Sequence, residues 1–205
     1  MNALHKEFID SLGANKLFFN ISLNKIQTEK IAVYYEFIQE HNAVLHLVAP
    51  CSTEEFAVRH ILESLTLLEF LPENAKFADV GAGAGLPALP CLIVRQDLHG
   101  VLIESKSKKA DFLKEVLAKF DLGKCTIIQN KQFEELPKPD VEFITCRALD
   151  KFTQKLPKLL KWSKKSSLLL FGGNNLGAEL EKYGVKFQKK LIPMSEQRFL
   201  FIAQN

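Results

Sequence analysis

Three glycines at alternate positions, Gly81, Gly83 and Gly85, stand in the stretch ADVGAGAGLPALP at residues 78–90, and Glu104 follows 19 residues after the last of them. Glycine adopts positive φ without strain and leaves room for a ligand to approach the backbone, so three of them close together suit a binding loop. Asp79, just ahead of the loop, is expected to face the same crevice. A carboxylate at Glu104 can accept hydrogen bonds from both hydroxyls of a ribose. A dinucleotide fingerprint runs G-x-G-x-x-G and seats a pyrophosphate on a helix N-terminus; here the glycines run G-x-G-x-G and a proline follows. The chemistry predicted is binding of an adenosine-type cofactor without phosphates, S-adenosylmethionine in preference to NAD. A tight strand-to-helix turn would also use the glycines and leave Glu104 as a solvated strand end. The loop, the acid and the surrounding element pattern together favour the cofactor.

Such a loop needs a sheet to carry it. After residue 75 short apolar runs (KFADV, GVLIE, CTIIQN, VEFIT, SSLLLFG) alternate with helical patterns such as SKSKKADFLKEVLAKF and DKFTQKLPKLLKW. Strand and helix in alternation predict a mostly parallel, Rossmann-like α/β sheet with helices on both faces, which binds ligands at the carboxyl ends of its strands. Pro87 suits the first turn of the helix after the loop, and Pro90 is tolerated only if that helix begins near Pro87, because the first N–H groups have no intrahelical partner. GVKFQKKLIPM and EQRFLFIAQN, separated by a short turn near Ser195, predict a terminal hairpin that adds an antiparallel strand. Residues 1–71 read as a small helical extension packed on a domain of residues 72–205. Within it, STEEFAVRHILESLTLLEF opens with a candidate capping box, Ser52 with Glu55, and sets Phe56, Ile61, Leu65 and Leu68 along one flank.

The composition is that of an ordinary soluble protein: 205 residues, 47% hydrophobic, 25% charged, net charge +3. Lysines cluster at 106/108/109, 161/164/165 and 186/189/190. Such clusters are more often solvated faces than nucleic-acid contacts. Cys51, Cys91, Cys125 and Cys146 form no CxxC pair, which predicts reduced thiols in a cytoplasmic protein and no metal site. MNALHKEFID does not resemble a secretory signal, and the apolar stretch 77–94 contains Asp79, three glycines and two prolines, so no membrane span is expected.

From about residue 36 onward the chain resembles the bacterial 16S ribosomal RNA guanine-N7 methyltransferases, the RsmG family, formerly GidB. The matching segments are VRHILESL, DVGAGAGLPALP with IVRQDLH, ESKSKKADFLKE and CRAL. The resemblance implies a class I methyltransferase using S-adenosylmethionine and acting on 16S RNA or the small subunit, as a monomer. It implies that Gly81, Gly83, Gly85 and Leu86 hold the methionine and ribose end, that Glu104 takes the ribose, and that Gln132 and Phe133 border the adenine; Asp79, facing the crevice, is counted with the cofactor-binding residues. Arg147 would lie beside cofactor and base, holding guanine O6 or pairing with a carboxylate such as Glu104. Lys106, Lys108 and Lys109 open a helix, an electrostatic misfit that points to phosphate. Asn42, His60 and Arg198 complete the expected RNA side, although His60 and Ser64, four apart, also suit a local hydrogen-bonding pair. Two departures bear on the substrate: Phe171 replaces the family's usual lysine in LFGG, and HNAVLHLV replaces W-N-x-x-x-N-L-T. They motivate a second reading, a same-fold methyltransferase with another RNA target or one decayed to RNA binding. A third, an NAD-dependent oxidoreductase, is disfavoured by the glycine spacing.

Overall fold

Order along the chain follows the change of period at residue 75. The computed structural model describes residues 3–147 and 152–204, so Ala148 and Leu149 of CRAL lie outside the described residues. The extension contains α1 (Ala3–Asn15), a 3-10 turn (Lys16–Phe19), α2 (Lys25–Leu45) and a helical run over residues 53–69, α3. Ser52 caps α3 by accepting from the Glu55 amide at 3.1 Å, but only this half of the expected capping box forms. The Glu55 carboxylate turns outward to pair with Arg59 one turn on. Phe56–Leu62 within α3 is π-helical, and Phe56, Ile61 and Leu65 are buried. A π segment widens the turn and is frequent at functional sites.

The sheet alternates with helices as the pattern required: β1 (Lys76–Val80), α4 (Ala88–Val94), β2 (His99–Ile103), α5 (Ser107–Lys119), β3 (Thr126–Gln129), β4 (Phe143–Arg147), α6 (Phe152–Trp162), β5 (Ser167–Gly172), α7 (Asn174–Lys182), β6 (Phe187–Leu191) and β7 (Phe199–Gln204). Strand order is β3-β2-β1-β4-β5-β7-β6. β7 is antiparallel to both its neighbours, the hairpin that the tail predicted. The order reverses between β1 and β4, and a crevice opens at the carboxyl ends of the strands at such a switch point. Both Asp79, in β1, and Arg147, at the end of β4, belong to strands at that switch.

Two apolar clusters flank the sheet. One, on the α4/α5 side, runs without interruption from Phe8 through Tyr34 and Phe56 to Leu89 and Phe112. The extension therefore shares a core with the sheet. Trp162 packs against the second cluster and donates from Nε1 to the Leu136 carbonyl at 2.8 Å, so it serves packing.

Candidate functional site

The glycine loop is held from both sides. The amides of Gly81 and Ala82 donate to the Ile103 carbonyl at 2.9 and 3.1 Å, and the Gly83 amide donates to Glu104 Oε2 at 2.8 Å. Glu104 Oε1 accepts from the Lys106 amide at 2.7 Å. Glu104 is buried at the end of β2, so its charge is fixed against loop backbone while its remaining lone pairs stay available. Tyr34, from α2, donates to the Ala84 carbonyl at 2.6 Å and is fully buried, which raises its phenol well above the ordinary value. Pro87 caps α4 and Pro90 falls in its first turn, where a missing N–H costs nothing.

All three glycines have positive φ, 76°, 55° and 90°. Gly83 and Gly85 nevertheless serve different ends. A Cβ at Gly85 would lie 2.1 Å from Leu89 Cδ1 and 3.1 Å from the Tyr34 hydroxyl, so that glycine is required by the protein's own packing. A Cβ at Gly83 would meet only the Gly81 carbonyl oxygen, at 3.7 Å. Gly83 alone of these two faces open space, and the space is a cavity of about 350 Å³. That size lies within the range of small-ligand sites.

The cavity collects most of the residues expected from sequence: Gly81, Gly83, Leu86, Glu104, Lys106, Lys109, Arg147 and His60. Leu47, Val48 and Ala49 from the extension close one side. Asp79, expected at the cofactor, does not line the cavity: it is fully buried in β1, and neither carboxylate oxygen has a hydrogen-bond partner among the described residues. Burial raises its carboxyl to about 7, with the Glu104 charge adding to the shift and Arg147 opposing it. A carboxyl that keeps its proton to about 7 when folded and to 3.8 when unfolded stabilises fully below about 4, and this contribution is lost as pH rises through about 7. Asp79→Asn is therefore expected to flatten the melting temperature across pH 5 to 8 and to raise it above wild type at pH 8, read by thermal unfolding. An unchanged pH profile would show that Asp79 finds partners in solution.

The scan against family models places residues 27–200 in GidB, rRNA small subunit methyltransferase G. The chain belongs to the GidB family. A protein of Magnetococcus marinus named ribosomal RNA small subunit methyltransferase G is 36% identical over 172 residues, spanning 80% of this chain and 76% of that one. One of the same name from Aster yellows witches'-broom phytoplasma is 31% identical over 168 residues, 78% of this chain and 77% of the relative. Among solved structures, a SAM dependent methyltransferase from Aquifex aeolicus superposes with a TM-score of 0.58 at 21% identity, over 72% of this chain and 92% of that one. That likeness carries the fold.

Within this GidB chain several expected residues take other places. Gln132 is exposed, and Phe133 is buried edge-on against Trp162 at 5.5 Å; neither lines the cavity. Arg147 pairs with Glu63, at 3.3 Å, and not with Glu104; its Nη2 also donates to the Arg59 carbonyl at 2.6 Å. Arg198, expected on the RNA side, is held by the same Glu63 at 2.7 Å while its side chain stays 37% exposed. Asn42 accepts from the Val48 amide at 2.9 Å and so shapes the segment after α2. Ser64 donates to the backbone carbonyl of His60, not to its ring. The His60 ring packs on Phe56 at 4.9 Å, and burial with the nearby Arg147 and Arg59 lowers it to about 4. A neutral imidazole suits a cavity wall better than a phosphate.

Among the lysines, Lys106 and Lys109 line the cavity, and Lys109 donates to the His46 carbonyl at 3.0 Å. Lys108 points to a separate groove with Glu40, His41, Asp111 and Glu115. Phe171, in place of the family's lysine, lies with its ring centroid 5.7 Å from the Arg147 guanidinium carbon, so an aromatic face meets that cation. Lys155 of α6, which the sequence did not single out, also lines the cavity. Glu63 was legible in principle: an acid inside the apolar run ILESL must find a partner when buried.

Proposed function

We propose that the protein transfers a methyl group from S-adenosylmethionine to N7 of a guanine in small-subunit ribosomal RNA. The single observation that carries the cofactor is the Gly83–Glu104 pair: a glycine open to a cavity, hydrogen-bonded to a buried carboxylate that retains acceptor capacity. No phosphate cradle accompanies it, because Lys106 spends its amide on Glu104 and α4 starts at prolines. The residues fit the group. Gly81, Gly83 and Leu86 would hold its methionine and ribose end and Glu104 its ribose hydroxyls. Bound there, S-adenosylmethionine supplies an electrophilic methyl on a sulfonium.

Guanine N7 carries a lone pair and no proton, so the protein needs no general base. Its task is alignment of the attacking nitrogen. Arg147 is the fixed cation of the cavity, and O6, adjacent to N7, is an acceptor that arginine recognises. Lys106 and Lys109 at the cavity face the RNA backbone in this reading, while Lys108, among acids, does not. Residues 1–71 act as an extension of the methyltransferase domain at 72–205, contributing Leu47, Val48, Ala49 and His60 to the cavity. The second reading, a different RNA target, is favoured by Phe171 beside Arg147 and by the altered HNAVLHLV segment, whose Leu47 and Val48 line the cavity. Incubating the protein with labelled S-adenosylmethionine and 30S subunits or naked 16S RNA, then mapping the modified base, decides between them; label on any base but guanine supports the second.

Two variants test the parts. Glu104→Gln is expected to weaken S-adenosylhomocysteine by about 1–3 kcal/mol in calorimetry, the scale of a hydrogen bond to a charged group. Normal affinity in a variant that only melts earlier would reduce Glu104 to a loop anchor. Changing Lys106 and Lys109 to Ala is expected to leave that affinity intact and flatten the salt dependence of RNA binding, by roughly 0.7–0.9 in log–log slope per lost phosphate contact. Lys108→Ala should leave the slope as it is; an equal effect there would mean that the lysines act as a diffuse basic face.

A further inference from the structure

Glu63 is a carboxylate with 2% side-chain exposure at the end of the π segment of α3, outside the cavity, and two guanidiniums converge on it. Arg198, just ahead of β7, reaches Oε1 at 2.7 Å through Nε and Nη2. Arg147, ending β4, reaches Oε2 at 3.3 Å through Nη2, and the same Nη2 donates to the Arg59 carbonyl of α3 at 2.6 Å. Arg147 Nη1 is buried and has no hydrogen-bond partner among the described residues. The guanidinium is therefore anchored at one end only, over the Phe171 ring.

An arginine side chain carries several rotatable bonds and loses considerable entropy when held in one orientation. Arg147 also stands near two further cations, Arg59 and Arg198, which repel it. Without Glu63 the Nη2 edge would keep the Arg59 carbonyl and lose its paired carboxylate, leaving the repulsion of Arg59 and Arg198 opposed only by the more distant Asp79. Charge neutralisation and orientation at this point come from one carboxylate.

We infer that Glu63 is a positioning residue for methyl transfer: it fixes the Nη2 edge of Arg147 and so sets the orientation of the guanidinium that lines the cavity, and it ties the terminal hairpin to the site through Arg198. The inference rests on the proposed RNA methyltransferase reading. Arg198 is in consequence a strut. Glu63 touches neither the glycine loop nor Glu104, so its removal does not alter the cofactor loop.

The test is a cycle of Glu63→Gln and Arg147→Lys, singly and together, with wild-type methylation of small-subunit RNA established first; no methylation by wild type would overturn the activity reading and, with it, the role of Glu63 in methyl transfer. Glu63→Gln is expected to lower the single-turnover rate at saturating RNA about 10- to 100-fold, the scale of a misplaced reacting contact, with S-adenosylhomocysteine and RNA affinities unchanged. Added to Arg147→Lys it is expected to cost little more. In the free protein, the ¹⁵N guanidinium resonance of Arg147, assigned by its loss in Arg147→Lys, should shift in Glu63→Gln. Should Glu63→Gln fail to fold, Glu63→Asp keeps the charge, withdraws it by one methylene and carries the same expectations. A full single-turnover rate, or equal losses with and without Arg147, or an unmoved Arg147 resonance, would overturn the role of Glu63 while the methylation reading stands.

Discussion

Gly83→Val is expected to abolish S-adenosylhomocysteine binding in a protein that still folds, and Gly85→Ala to cost a large part of the fold's stability. The two glycines are two residues apart in one loop, yet they answer to different neighbours. At Gly83 a new side chain enters the cavity and meets only the Gly81 carbonyl, so a β-branched residue occupies the ligand's place at the expense of a strained φ of 55°. At Gly85 even one methyl would lie 2.1 Å from Leu89 Cδ1 and 2.6 Å from its Cγ, at φ 90°. Overpacking and left-handed strain each contribute of order 1–3 kcal/mol, so a loss of about 2–5 kcal/mol is expected in denaturant unfolding. Calorimetry on the folded Gly83→Val variant checks the first half. Undiminished affinity there would remove this loop from the cofactor site, and a stable Gly85→Ala would mean that Leu89 and Tyr34 yield more readily than their packing indicates.

That contrast marks how far the sequence could be read. Periodicity reports which segments are strands and helices, so the alternation after residue 75, the terminal hairpin and the start of α4 near Pro87 were all legible from local pattern. Glycine spacing reported a loop that must adopt positive φ, but not whether ligand or protein fills the freed space. That depends on Leu89 and on Tyr34, which lies 50 residues away and reaches the loop only through tertiary packing. Glu104, the acid proposed for the ribose, was legible at the cavity because it follows a strand at a fixed distance from the loop. Arg147 lines the cavity as the sequence suggested, and Glu63 could be read as an acid in need of a partner, but their pairing could not: Glu63 stands 84 residues earlier, and a pairing between two elements leaves no local spacing to read. The same holds for Arg198, Asn42 and Phe133, whose residue types suit a surface or a ligand and whose neighbours in the fold commit them elsewhere. Lys108 and Lys109 are adjacent in sequence but diverge around α5, one to the cavity and one to an acidic groove.

Arg147→Ala is expected to lower single-turnover methylation at saturating RNA about 100- to 1,000-fold while leaving RNA affinity and its salt slope near wild type, the reverse of the Lys106 and Lys109 double variant. The magnitude is that of removing one preorganised contact to the reacting group. A phosphate-binding lysine attracts the RNA in every state, so its loss is recovered by raising RNA concentration. Arg147 is different because it is buried at the end of β4, where burial lowers its pKa even against the Glu63 charge and water cannot substitute for it. What it supplies is realised only when the base is aligned, and saturation does not restore alignment. Truncation also strips one of two guanidiniums from Glu63, so some loss of thermal stability accompanies the rate effect; Arg147→Lys retains the cation without the fork and separates the two. A lysine that restores stability but not rate would assign catalysis to the fixed guanidinium geometry. A lysine that restores both would mean that charge alone suffices, and full single-turnover activity in Arg147→Ala would take the residue out of the active site.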